Sequence, residues 1–527
     1  RGLPRSTARW ALLACAAGLA ACAMVGPDYH RPAVEVPDAF KEAPAGETAP
    51  PAVAPAGWKT AAPADERDPG RWWSVYGDPL LDELVESVSV SNQTVASAEA
   101  AYRLAIGALG VARAAQWPTL GGTVTHTRGR NASVQATNSV STSAPITETN
   151  RLTLSASWEA DLWGRVRRNV ESNEASVAAS EADLRAAVLS AQATLVQTYL
   201  QLRISDAQRR LLEETVAAYE RSLEITSNRY DAGVAARTDV TQAQTQLLNA
   251  RAQVLDLAVS RGQLEHAIAA LTGRPPSALT IVPTDEVPAL PAVPAIVPSA
   301  LLERRPDIGG AERRVAAANA QIGVAQAAFY PTLSLSAAGG TASNAWSNLL
   351  SLPYRFWSLG PSLALTLFDA GNRGSVRAQA IARYDQAVAT YRQTVLTAFQ
   401  EVEDNLLSLH GLAREEALQR EVVDSAAQTL ELTNNQYLAG TVSYLNVVTA
   451  QTASYSARAT ALTLASRRLV ASAVLMKAMG GFWDDARSGL PRAPSSDVGG
   501  PPAATPSALA PATSPSRLPS PSRSGNS

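Results

Sequence analysis

Asn228-Arg-Tyr-Asp-Ala-Gly233 and Asn435-Gln-Tyr-Leu-Ala-Gly440 are two copies of one phrase in a single chain, and the reading of the fold starts from that repetition. From residue 228 to 251 about ten of roughly 24 positions recur in the second copy, more than chance provides. The same spacing carries Val177, Leu184, Val188, Leu195, Tyr199 and Leu202 onto Tyr384, Tyr391, Val395, Val402, Leu406 and Leu409, so the apolar register is kept without a gap. Further upstream, Leu109-Gly-Val-Ala-Arg-Ala-Ala-Gln-Trp-Pro-Thr-Leu120 matches Ile322-Gly-Val-Ala-Gln-Ala-Ala-Phe-Tyr-Pro-Thr-Leu333. Between these matches the first copy is about six residues longer.

Within each copy the apolar period switches from helix to strand. Tyr384, Val388, Tyr391, Val395, Phe399, Val402, Leu406 and Leu409 recur by threes and fours, the stripe of an α-helix turned toward neighbours. No proline interrupts Arg165 to Tyr230, a stretch that would run ~100 Å as one helix, and its repeat from Gly374 to Tyr437 is nearly as long. Four short segments alternate instead: Leu120 and Val124; Leu152, Leu154, Ala156 and Trp158; Leu333, Leu335 and Ala337; Leu363, Leu365 and Leu367. Their neighbours are small and polar, as in Thr153, Ser155, Ser157, Ser334, Ser336, Ser362 and Thr366. A transmembrane barrel strand has this pattern, and so does a half-buried strand of a soluble sheet. Closure separates the two: four strands cannot form a barrel, whereas three chains contributing four each make twelve. Polar loops are expected at Arg128 to Asn150 and Thr341 to Ser358. At Gly233 and Gly440 helical patterns stop and restart, and glycine permits the left-handed turn that a helical hairpin tip needs.

Composition narrows the function. A formal charge of -2 over 527 residues gives no electrostatic grip on nucleic acid. Six Phe and three Met beside abundant Ala, Gln, Ser and Thr suit long helices packed through small side chains. Arg5 and Arg9 precede an apolar run from Trp10 to Ala21, about twelve residues, too short to span a bilayer and suited to a secretory signal. Leu19-Ala20-Ala21-Cys22 has the form of a lipobox; Leu12-Leu13-Ala14-Cys15 fits less well because its apolar run is too short. No cysteine follows Cys22, which excludes disulfides and thiolate metal sites from the mature chain. His30, His126, His266 and His410 lack the spacing of a zinc helix, and no phosphate-cradling loop or plausible triad is present, so no cofactor beyond the lipid on Cys22 and no catalytic site is expected.

Gly26-Pro-Asp-Tyr29, Trp72-Trp73, Asp78-Pro79, Leu301-Leu-Glu-Arg-Arg-Pro-Asp-Ile308, Ala318-Asn-Ala-Gln-Ile-Gly-Val-Ala325 and Tyr330-Pro331, in that order after the lipobox, resemble the TolC family of outer-membrane efflux proteins, and within it the NodT/OprM-like lipoprotein branch. The resemblance runs from the leader to about Trp483. It implies an α+β membrane protein: a trimeric 12-stranded outer-membrane β-barrel, four strands per chain, continued by a long periplasmic α-helical barrel. The expected division is a signal peptide (1–21), a lipidated extended segment (22–70), a first repeat (71–273), a Pro-rich connector (274–297), a second repeat (298–483) and a disordered tail (484–527). Implied partners are two further copies of the chain, a periplasmic adaptor (membrane fusion protein), an inner-membrane pump of the resistance-nodulation-division class, and outer-membrane lipid. The implied activity is passive conduction of small molecules out of the cell. Two alternatives keep part of this reading, a type I protein secretion duct with the same fold and a structural coiled-coil surface lipoprotein.

The resemblance also assigns residues. Cys22 is the acylation site, bearing diacylglycerol and an N-acyl chain, and Ala23 after it is compatible with sorting to the outer membrane. Gly233, Val234, Gly440 and Thr441 stand at the adaptor-docking tips. Tyr437 matches a linking tyrosine of the closed periplasmic gate and Asp239 its acceptor. Val442 replaces a linking arginine, and Asn446 and Thr449 stand where acidic residues are usual, which implies weaker binding of cations in the closed pore.

Overall fold

In the computed structural model residues 24–37, 39–42, 70–130, 146–292 and 304–481 are described; Cys22 and the tail 484–527 lie outside them. The long helices form as the proline-free stretches require: α3 spans Arg165–Asp231 and α6 spans Asn372–Leu438, each of 67 residues. Around them stand α1 (Pro79–Ser91), α2 (Gln93–Ala114), α4 (Arg237–Leu271), α5 (Pro306–Ala327) and α7 (Tyr444–Ala478). Strands β1 (Thr119–Arg130), β2 (Ile146–Ala160), β3 (Thr332–Ser343) and β4 (Arg355–Ala364) make one antiparallel sheet in the order β1-β2-β3-β4. The fourth strand departs from expectation, because it starts earlier and ends at Ala364, leaving Leu365 and Leu367 in the connection to α6. The loop before it is correspondingly short and holds single turns at Trp346–Asn348 and Leu352–Tyr354.

Each repeat traces one circuit: from mid-length to the sheet, across two strands, down a long helix to a tip, and back to mid-length. Near the sheet the helices lie side by side as α2, α3, α5 and α6, and near the tips as α4, α3, α7 and α6. The layer therefore has two edges, α6 on one side and α2 with α4 on the other. Both strand-to-helix corners use the same device. Asp161 accepts from the Val166 and Arg167 amides at 3.1 and 2.9 Å, and Asp369 accepts from the Gly371 and Arg373 amides at 3.1 and 3.0 Å. Each aspartate thus satisfies amides at the start of a long helix that have no partner within it.

The circuits close at mid-length, where the main core sits. Trp72, Trp73 and Tyr76 pack there with Leu195, Tyr199, Leu202, Val395, Val402 and Leu475. Asn92 breaks α1 from α2; its side-chain oxygen accepts from the Thr94 and Val95 amides, while its nitrogen donates to the Leu271 carbonyl at 2.7 Å. In the second copy Arg305 holds the Ala478 carbonyl at 3.2 Å. Just beyond, Gly273 and Gly480 adopt φ of 70° and 81°, and a Cβ on them would lie 2.2 Å from the Ser91 carbonyl oxygen and 2.9 Å from that of Arg304. Only glycine lets the backbones pass so closely.

A buried polar chain braces the same level. Asp206 accepts from Arg261 at 2.6 Å and lies 3.5 Å from Arg203, and Arg203 in turn donates to the Tyr199 hydroxyl and, at 3.0 Å, to the Val282 carbonyl. Residues 24–42, where described, carry no helix or strand and lie along the helices. Arg168 donates to the carbonyls of Val25 and Gly26 and to Asp28, Tyr29 donates to Glu312, and Phe40 meets Phe399 edge-on at 6.5 Å.

Candidate functional site: tips, gate and open edges

The first tip is a Schellman turn: the Gly233 amide reaches the Tyr230 carbonyl at 2.8 Å and the Val234 amide reaches that of Arg229 at 2.8 Å. The second repeats it, Gly440 to Tyr437 and Thr441 to Gln436, both at 3.0 Å. With φ of 72° and 77° and open space where a Cβ would stand, both glycines are demanded by backbone conformation and not by crowding. Gly233, Val234, Gly440 and Thr441 are all exposed, Val234 to 67%. Exposed apolar side chains at the far end of the helical layer, Val234 with Leu438 and Leu445, give a partner something to cover.

Behind the tips, Tyr437, Tyr444, Val447 and Ala243 form a small core of their own. The rings of Tyr437 and Tyr444 lie 5.5 Å apart, and the Arg229 guanidinium sits 4.7 Å over the Tyr437 ring while donating to the Leu438 carbonyl. Tyr444 shares a hydrogen bond with Ser222 at 3.1 Å, and burial pushes its hydroxyl above the usual tyrosine range. The expected hydrogen bond from Tyr437 to Asp239 is not made within the protomer. Asp239 accepts from the Ala236 amide at 3.4 Å at the start of α4, and the Tyr437 hydroxyl is buried without a partner among the described residues. Helix capping holds one member of the pair, and the apolar cluster with its cation–π contact holds the other. Val442 packs partly buried against this cluster. Asn446 and Thr449 are exposed, away from the buried Tyr444, Val447 and Ala450, and Thr449 bonds back to the Leu445 carbonyl.

At the other end the register sorts the sheet into two faces. Leu120, Val124, Leu152, Leu154, Ala156, Trp158, Leu333, Leu335, Trp357, Leu359 and Leu363 fall on one face, and Thr123, Thr153, Ser155, Ser157, Ser334, Ser336 and Ser362 on the other. The apolar face is open to the surroundings, Leu120 to 85% and Trp357 to 83%. Aromatic residues bound it at both ends. Trp117, Trp163 and Tyr330 lie at the helix side, where the Trp163 ring stacks on Tyr330 at 4.7 Å and its nitrogen donates to the Pro331 carbonyl at 2.7 Å. Trp346, Tyr354 and Trp357 lie at the loop side. Sequence reading missed these belts although the signal was available, since tryptophan or tyrosine flanks the alternating stretches.

β1 and β4 each have one unpaired flank. The helical edges match them in exposing apolar side chains: Leu104 and Val111 on α2, Leu255 and Val259 on α4, and Leu396, Leu407 and Leu418 on α6.

The family described as outer membrane efflux protein matches the chain over residues 84–274 and 297–481. The pyoverdine export outer membrane protein OpmQ of Pseudomonas aeruginosa is 32% identical over 447 residues, which cover 84% of this chain and 94% of that protein. The outer membrane protein OprJ of the same organism is 32% identical over 480 residues, 89% and 95% of the two chains. Among solved structures, that of the outer-membrane channel OprN matches with a TM-score of 0.77 and 29% identity, covering 87% of this chain and 99% of the other.

Proposed function

The chain belongs to the outer membrane efflux protein family, the TolC-type exit ducts, and from that premise we propose how it makes a conduit: three copies join edge to edge into a twelve-stranded barrel and a twelve-helix tunnel. It is the outer-membrane channel of an efflux pump. The observation that supports the closure is that the sheet and the helical layer stop at the same two edges, β4 with α6 and β1 with α2 and α4, and both edges are unfinished. An unpaired strand flank cannot face hydrocarbon, because its backbone amides and carbonyls would lose hydrogen bonds. Pairing β4 of one copy with β1 of the next satisfies those groups, and the apolar stripes of the helical edges are buried in the same step. The apolar sheet face then meets lipid and the Ser/Thr face meets water.

The duct conducts passively in this reading. An inner-membrane pump supplies energy through a periplasmic adaptor, and the adaptor docks on Gly233, Val234, Gly440 and Thr441. Asp239, Tyr437, Val442, Asn446 and Thr449 line or brace the narrow end. Acylated Cys22 assists sorting and assembly while the barrel gives lasting attachment, since one acyl chain binds a membrane only marginally. Val25, the second described residue of the chain, donates its amide to the Trp163 carbonyl at the aromatic belt.

The closure is tested by native mass spectrometry of protein extracted from outer membranes, together with conductance in planar bilayers. Trimers that form channels are expected; a monomer that never partitions with membranes overturns the assignment. Docking at the tips is tested by Val234→Asp with Thr441→Asp. Both positions are exposed, so trimer yield should change little, while dye accumulation in cells should rise to the level of the gene deletion. Unchanged export would remove the tips from the adaptor contact.

A further inference from the structure

The loop-side rim of the barrel carries a charge pattern that conduction does not use. Strand alternation puts Arg128 and Arg130 on the face of Leu120 and Val124, and Arg355 on the face of Trp357 and Leu359, so all three lie on the lipid side. Glu148, opposite Arg128, is the one carboxylate there and lies 3.1 Å from that arginine. Among the described residues Arg130 and Arg355 have no ion-pair partner, and the sequence from 131 to 145 and from 344 to 354 contains no Asp or Glu. The opposite rim is balanced, with Arg165 on Glu159, Arg167 on Asp161 and Arg373 on Asp369.

Arg130 ends β1 and Arg355 begins β4, and these are the two edge strands. When β4 of one copy pairs with β1 of the next, as the proposed closure requires, the loop-side ends of both strands meet at each seam. Arg355 of one copy then joins Arg128 and Arg130 of its neighbour, three guanidinium groups against one carboxylate, directly beyond Trp357 and Trp346. Like charges brought together at a subunit boundary repel unless an anion lies between them. At this depth, just past an aromatic belt, the available anions are lipid headgroups.

We propose that each subunit seam at the outer rim binds the phosphate groups of a phosphorylated glycolipid of the outer leaflet, with Arg130 and the neighbouring copy's Arg355 as its principal ligands. The guanidinium fork matches phosphate oxygens in pairs, and both residues sit where a headgroup stands when its acyl chains lie along Leu120, Val124, Leu359 and Leu363. The bound lipid bridges two copies, so it stabilises the trimer as well as filling the site.

This inference rests on the trimeric closure, and the experiment keeps the two apart. Native mass spectrometry of the detergent-extracted protein counts subunits and bound lipid in the same spectrum. The probes are diphosphorylated lipid A, the same lipid freed of its phosphates, and inorganic pyrophosphate. A trimer retaining diphosphorylated lipid A is expected, with affinity lowered about tenfold or more by removing the phosphates or by Arg130→Gln with Arg355→Gln, the weight of one charge-assisted contact. Equal retention of the two lipids, or full retention by the double variant, would overturn the rim site while leaving the trimer standing. Pyrophosphate binding as tightly as the lipid would overturn the glycolipid as occupant. A protein that is not trimeric would remove the seam and the proposal with it.

Discussion

Individual side chains in this protein matter most where one buried charge ties several elements together. Asp206, fully buried, holds Arg203 and Arg261 and accepts weakly from the Thr284 amide, so it ties α3, α4 and the connector together. Asp206→Ala takes the shared carboxylate from Arg203 and Arg261, which keep Tyr199 and Glu265 as partners, and a loss of about 1.5–3 kcal/mol is expected, with a smaller loss for Asp206→Asn, which keeps acceptor capacity. Heating of the detergent-solubilised protein, followed by loss of helical circular dichroism, measures both. A midpoint within a degree or so of the parent for Asp206→Ala would mean that the network is slack. Asp369 offers a pH test. The Arg373 backbone amide, and then its side chain, hold this carboxyl below its usual value near 3.8, so the folded state binds its proton less readily than the unfolded state does. Its contribution is therefore present above the unfolded value and is lost as pH falls through the lower folded value. The difference in melting temperature between the parent and Asp369→Asn should shrink as pH falls through and below the unfolded value near 3.8. A difference independent of pH would exclude the capping role.

Among the elements, the strands show what alternation settles and what it leaves open. The division into Leu-rich and Ser-rich faces was legible in the sequence, and the register shows the apolar side chains on one continuous face. Leu154→Arg, near the middle of β2 on that face, is expected to cost about 2–4 kcal/mol and to reduce the yield of trimer in outer membranes. Ser155→Arg, its neighbour on the other face, should insert normally and alter conductance. Equal yields for the two variants would contradict a lipid-facing assignment. The end of β4 was not legible: Leu365 and Leu367 continue the alternation, yet pairing with β3 ends where Thr332 meets Ala364. A period of two records which faces are apolar; only the partner strand decides where hydrogen bonding stops. The helices behave differently. Both long ones start and end within a few residues of the expected limits, because a left-handed glycine stands before each start and a Schellman glycine follows each end.

For the assembled duct, the narrow end sets the electrical behaviour. In the proposed duct Asn446 and Thr449, both exposed on α7, stand at the narrow end, and neither would supply negative charge to hold a cation there. Single-channel conductance should change little on adding a divalent or trivalent cation at low concentration, and Asn446→Asp should introduce block. Strong block of the parent protein would show that other carboxylates reach the lumen. Tyr437 and Asp239, expected to be linked, are not bonded to each other in the protomer: Asp239 caps α4, and the Tyr437 ring packs with Tyr444 and Val447 under Arg229.

The duplication, the hairpin tips, the long helices and the two-faced strands were determined by the sequence alone, because each is a local consequence of period, proline-free length or a glycine placed to turn. What tertiary structure decided is everything that depends on which surfaces meet. That includes the close crossings at Gly273 and Gly480, the Asp206 network, the separation of Tyr437 from Asp239 and the matched unfinished edges. Such contacts join residues far apart in the chain, and their energies come from burial and from hydrogen bonds that no local pattern records.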